Sequence, residues 1–152
     1  MKYYLAYGSN LNKEQMALRC PGAKVVGDIL LDGYRLLFRG SKTGAYLTIE
    51  KDEASSIPVG IWEIDAAHEK ALDRYEGYPS FYYKLEGYIK ELPKKQKALI
   101  YVMHEDRPLG LPADYYIKVC QEGYRDFGFD ESFLTKAIRD TEEGMNENRR
   151  KH

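Results

Sequence analysis

The sequence predicts an α+β fold: a largely antiparallel, curved or barrel-like sheet decorated by helices. Strand-like segments crowd the first two thirds of the chain, and helical periodicity fills the last third. Nowhere do strand and helix alternate strictly, which disfavours a Rossmann-type parallel sheet. The 152 residues suit one compact domain over 1–145, followed by a charged tail over 146–152. No internal repeat, low-complexity block or Pro/Gly linker divides them.

The elements follow in order. Residues 2–7 (KYYLAY) read as a short strand, broken by Gly8-Ser9-Asn10. Asn12 caps a helix from Lys13 to Arg19, with Gln15 three residues on as in a capping box, and Cys20-Pro21-Gly22 closes it. Four strand segments come next, at 24–32, 34–39, 45–50 and 58–64. Asp32-Gly33 signals a tight turn between the first two, and 40–44 a looser polar connection. Asp65 caps a helix that Gly77 and Pro79 stop just beyond Tyr75. Strands at 81–90 and 97–103 are joined through Pro93-Lys94-Lys95. Helices at 113–127 and 131–143, the second capped by Asp130, lead into a frayed tail.

Composition narrows the function classes. Hydrophobic residues make up 43% and charged residues 31%, an ordinary globular balance, and the formal charge of −1 supplies no basic field for nucleic acid. No apolar run approaches the ~20 residues that cross a bilayer. Met1-Lys2 leads straight into a strand rather than a secretory leader, so a cytoplasmic protein without a membrane partner is expected. Cys20 and Cys120 are isolated and read as small buried fillers. His68, His104 and His152 are equally scattered, so no metal site is expected. Tyrosine is abundant, 14 residues against 5 phenylalanines, which suits strand faces that line a polar pocket.

Two stretches can carry chemistry. A strand ending in Tyr7-Gly8-Ser9-Asn10 and turning into a helix can aim successive backbone N–H groups at one point. Gly8 lets a ligand approach the main chain, and the helix N-terminus favours an anion there. A plain strand-to-helix turn explains the same residues. Glu76 lies four residues after Leu72, hence on the same helix face, beside Tyr75 and His68, while Glu69 and Asp73 lie further towards water. It also ends the helix, where the dipole opposes negative charge, so burial and dipole together should raise its proton affinity. A solvated surface glutamate is the competing reading. Alternation puts Phe81 and Tyr83 on one face of the following strand and Tyr82 on the other.

Other signals carry less. Gly40-Ser41-Lys42-Thr43 has a serine inside the Gly-Lys pair of a phosphate loop and no helix after it, so it reads as a polar hairpin loop. Lys94-Lys95-Gln96-Lys97 and Arg149-Arg150-Lys151 are short solvated charge runs. There is no Gly-x-Ser-x-Gly elbow and no Cys/His pairing to supply an enzyme-borne nucleophile.

Tyr7-Gly8-Ser9-Asn10-Leu11, with Leu72-Asp73-Arg74-Tyr75-Glu76-Gly77-Tyr78-Pro79 and then Tyr82-Tyr83, resembles the γ-glutamylcyclotransferase-like family over most of residues 1–120. The resemblance implies a mixed β-barrel flanked by helices. It implies that the backbone of Tyr7, Gly8, Ser9 and Asn10 holds the glutamyl moiety and that Glu76 is the catalytic acid-base residue. Tyr83 matches a tyrosine seven residues after that glutamate, and Tyr115, with Tyr116 beside it, looks like the family's pocket tyrosine. The compact 40–44 connection departs from the family's longer members on what would be the leaving-group side.

The reaction so implied releases 5-oxoproline: the α-amine of a γ-glutamyl compound attacks its own γ-carbonyl and expels an amine or amino acid. Such chemistry needs a folded substrate and one carboxylate of raised pKa, but no cofactor. The alternatives are a non-catalytic binding domain for a carboxylated metabolite and an unrelated β-rich interaction module. Neither the leaving group nor the oligomeric state, a homodimer included, is fixed by the sequence.

Overall fold

The computed structural model describes residues 1–41 and 44–151. Its five strands form one mixed sheet in the order β2-β3-β1-β5-β4, comprising β1 (Lys2–Ala6), β2 (Lys24–Arg39), β3 (Tyr46–Ile64), β4 (Tyr82–Gly87) and β5 (Ala98–Met103). The helices are α1 (Lys13–Arg19), α2 (Ala66–Glu76), α3 (Asp114–Phe127) and α4 (Ser132–Lys151). The predicted α+β class holds. β1 sits at the centre, antiparallel to β3 and parallel to β5, so both of its edges are paired. Tyr3, Tyr4, Leu5 and Ala6 are all buried rather than alternating, so both faces of this central strand are covered as well. It also delivers Tyr7 to Asn10 to the middle of one sheet end.

Closure of the sheet does not occur. β2 and β4 are opposite edges and do not pair with each other, so the sheet curves without becoming a barrel. The Asp32-Gly33 turn is also overturned. β2 runs through Gly33 as one strand against an equally continuous β3, with the register jumping between Asp32↔Ser56 and Tyr34↔Lys51. A two-residue type I′ turn needs positive φ at both central residues. Of the two, only Gly33 has it, at 88°, and no non-glycine among the described residues does. The glycine therefore serves an irregularity within a long hairpin. The turn of that hairpin falls in the 40–44 connection, where Lys42 and Thr43 lie outside the described residues.

Capping follows the sequence with two changes. Asn12 Oδ1 accepts from Gln15 N at 3.1 Å, but the Gln15 side chain accepts from Arg19 at 2.9 Å instead of returning to the cap. The full capping box belongs to α2, where Asp65 accepts from His68 N and His68 Nδ1 accepts from Asp65 N. Gly77, at φ 63°, ends α2 in a left-handed cap. The frayed tail is a correction too: α4 continues to Lys151. Its last turn carries Arg149, Arg150 and Lys151, cations that favour a helix C-terminus. Cys20 and Cys120 are both buried and unpaired. No described helix is long and apolar enough to cross a membrane.

Candidate active site

Leaving β1, the chain turns through Gly8 into a single 3₁₀ turn, Ser9–Leu11, closed by Leu11 N to Gly8 O and Asn12 N to Ser9 O, each 3.0 Å. Among the described residues, the N–H groups of Gly8, Ser9 and Asn10 find no acceptor beyond the sheet ladder, so they remain available to a ligand. A side chain at Gly8 would place its Cβ 3.3 Å from the Tyr116 hydroxyl and 3.4 Å from Leu47, so the bend is glycine-tight. The α1 terminus does not join it. Lys13 N is held by Asp126 at 3.0 Å and Gln15 N by Asn12, which leaves the bend to act through its own amides.

Three hydrogen bonds with β3 and α3 pin the bend. The indole N–H of Trp62 on β3 donates to Asn10 O at 3.0 Å. Tyr124 on α3 donates to Tyr7 O at 3.2 Å, and Asn12 Nδ2 donates to Val119 O at 3.1 Å. Gly123 permits this approach, since a Cβ there would lie 2.6 Å from Asn12 N. The ordering cost of a ligand-holding loop is thereby met in the free protein.

Glu76, the last residue of α2, turns towards the bend. Asn10 Nδ2 donates to its Oε1 at 3.5 Å. The residue keeps partial exposure because its carboxyl faces a cavity, but protein encloses it closely enough that burial pushes its pKa up to about 8, with Arg19 pulling the other way. Glu69 and Asp73, expected towards water, instead share Lys84 at 2.7 Å and 3.1 Å, and Glu69 also meets Lys2 at 3.0 Å. Glu76 alone among the α2 carboxylates lines the cavity.

Arg19 is the neighbour the sequence reading passed over as a helix-end residue. Its guanidinium donates to Asn10 Oδ1 and lies 3.5 Å above the centre of the Tyr75 ring, while Tyr75 and Ser9 share a hydroxyl bond of 3.0 Å. The six-residue spacing from Lys13 gave no sign of this, because the contact depends on how α1 folds back over the bend.

Both tyrosines inferred beyond the bend are displaced by one residue. Tyr83 does not line the cavity; its hydroxyl donates to Glu105 and its ring rests on His104, with centroids 5.1 Å apart. Strand alternation turns Tyr82 inward in its place, fixed by a 2.8 Å bond to Leu47 O. Tyr115 is 73% exposed at the start of α3. Tyr116, rotated by about 100° along the helix, takes the pocket position and accepts from Leu47 N at 3.0 Å. Tyr4 and Tyr101 complete the aromatic wall, and neither was singled out from the sequence although Tyr4 lies three residues before Tyr7.

Tyr7, Gly8, Ser9, Asn10 and Glu76 thus surround one open cavity of about 410 Å³, rimmed by Tyr46, Arg74, Tyr75 and Phe81. Amide donors, an acid of high proton affinity and an aromatic wall face the same space. The family model for gamma-glutamyl cyclotransferase, AIG2-like, matches residues 4–118, which include all of these groups. The chain belongs to this family. A solved gamma-glutamyl cyclotransferase is 25% identical over 90% of this chain and 85% of its own, with a TM-score of 0.72. An uncharacterized protein from Homo sapiens is 26% identical at the same coverage, with a TM-score of 0.74. A yeast gamma-glutamyl cyclotransferase specific to glutathione shares the fold, with a TM-score of 0.58 at 10% identity over 91% of this chain and 98% of its own. No curated protein sequence matches the chain. Family and likeness together support a gamma-glutamyl cyclotransferase-type function.

Proposed function

We propose that the protein releases 5-oxoproline from a γ-glutamyl compound, with Glu76 acting first as base and then as acid. The observation that carries this reading is the placement of a carboxyl of pKa about 8 across one cavity from free backbone N–H groups at Gly8, Ser9 and Asn10.

The substrate's ammonium gives a proton to the Glu76 carboxylate, and the freed amine forms a bond to its own γ-carbonyl carbon. The carbonyl oxygen gains negative charge, which amide N–H donors stabilise. The attacking nitrogen still carries one proton too many, which it gives up as the lactam forms; the bond from that carbon to the leaving nitrogen breaks as Glu76 returns its proton there, and the second proton departs with the amine in its ammonium form. The nucleophile belongs to the substrate, so the protein's task is to fold the glutamyl group into an attacking conformer. Both proton transfers suit one acid whose pKa lies near working pH. Tyr7 and Ser9 complete the glutamyl half-site beside the amides.

The test is incubation with a panel of γ-glutamyl amino acids, γ-glutamyl amines and glutathione, with 5-oxoproline read by mass spectrometry. The parent should release it, and Glu76→Gln should lose about 10²-fold or more of the rate. Equal rates in the two proteins would remove Glu76 from its role. Tight calorimetric binding without product across the whole panel would instead make the chain a binding domain.

A further inference from the structure

Arg19 decides which way the Asn10 amide points. A guanidinium only donates, so the atom facing Arg19 must be the amide oxygen. The amide nitrogen is therefore turned to the other side, where it donates to the Tyr4 hydroxyl at 2.9 Å and to Glu76 at 3.5 Å. Tyr4 is only 4% exposed and lines the cavity. As the acceptor of that bond, its hydroxyl keeps its own proton uncommitted.

Three neighbouring buried phenols do not. Tyr7 donates to Tyr101 O at 2.7 Å, Tyr82 to Leu47 O, and Tyr101 to Asp73 at 2.6 Å. Tyr116 only accepts, from the Leu47 N–H, but unlike Tyr4 it shares no hydrogen-bond partner with Glu76. Among the described residues nothing accepts from Tyr4, and it lines the same cavity as Glu76.

We propose that Tyr4 is a further catalytic residue, donating to the γ-carbonyl oxygen, and that Arg19 is a positioning residue aiming Tyr4 and Glu76 through Asn10. This rests on the cyclotransferase reading. In the tetrahedral intermediate the attacking and leaving nitrogens are bonded to one carbon, and the oxyanion sits on that same carbon. A base that serves both nitrogens must therefore lie close to the oxyanion, and Tyr4 is the free phenolic donor next to that base. Glu76 is faced by Arg19 from α1, by Tyr4 and Tyr7, and by Tyr82, Tyr101 and Tyr116 from β4, β5 and α3. The phenols are held neutral by burial, so Arg19 is the charge that acts on Glu76.

Steady-state rates and pH profiles of Tyr4→Phe, Arg19→Gln and Arg19→Lys test this, with melting curves to establish folding. Tyr4→Phe keeps the ring packed edge-on against Tyr101 and should lose about 10²-fold in kcat with KM little changed. Arg19→Gln should move the acid limb of kcat/KM to higher pH, because removing a cation favours protonated Glu76. Arg19→Lys should keep the limb in place while lowering kcat. A folded Tyr4→Phe within about threefold of the parent in kcat overturns the donor role. An acid limb unmoved in Arg19→Gln overturns the positioning role. If the parent yields no 5-oxoproline, the cyclotransferase reading fails and takes this proposal with it; a working parent with an unaffected Tyr4→Phe sinks this proposal alone.

Discussion

Asn10 and Glu76 are 66 residues apart in the chain, yet the amide nitrogen of one stands 3.5 Å from the carboxyl oxygen of the other. Two supports create that contact. Trp62 and Arg19 hold the asparagine by its backbone oxygen and side-chain oxygen. The left-handed Gly77 ends α2 directly after Glu76.

Burial of Glu76 links activity to stability. Its pKa rises from 4.5 to about 8, so the active carboxylate form accumulates only as pH climbs through that value, and kcat/KM should carry an acid limb there. Between those two values the folded state binds more protons at this site than the unfolded chain does. The site's stabilising contribution is therefore complete below pH 4.5 and is lost as pH rises towards 8. Glu76→Gln does not titrate, so its melting temperature relative to the parent should climb across that window. A constant difference from pH 5 to 9 would refute the shift.

Adjacent tyrosines should behave oppositely. Tyr116→Phe strands the Leu47 N–H and should cost about 1–3 kcal/mol in urea unfolding. Tyr115→Ala, on the outer face of α3, should stay within about 0.5 kcal/mol of the parent and leave turnover intact. Sensitivity in the reverse order would mean that α3 is rotated from the arrangement described.

Gly123→Ala pushes a methyl group against backbone rather than a yielding side chain, 2.6 Å from Asn12 N. It should destabilise the protein by about 1–3 kcal/mol and lower kcat/KM by loosening the bend. Chemical unfolding with parallel assays checks both effects, and an unchanged midpoint would deny the close approach of α3.

Trp62 is the sole tryptophan, and its indole N–H grips Asn10 O. Its emission should therefore shift when a γ-glutamyl compound enters the cavity of Glu76→Gln, in a saturable way. Binding seen by calorimetry with no change in emission would place the ligand away from the bend.

Local chemistry made much of this protein legible. Asn12 and Asp65 as caps, Gly77 as a stop and the KYYLAY strand all act within a few residues, so their signals survive in the linear chain. Glu76 was readable because its helix position already set burial and dipole against its charge. The closed barrel, the Asp32-Gly33 turn, Tyr83, Tyr115 and the role of Arg19 were not. Each depends on which face of an element meets a distant neighbour. One step along a strand or helix reverses that choice without altering local propensity. The sequence by itself determined the KYYLAY strand, the amide-rich bend and the acid at the end of α2. Only tertiary structure decided that Tyr82, Tyr116 and Arg19 surround them, because packing across the sheet, rather than spacing along the chain, selects which side chains share the cavity.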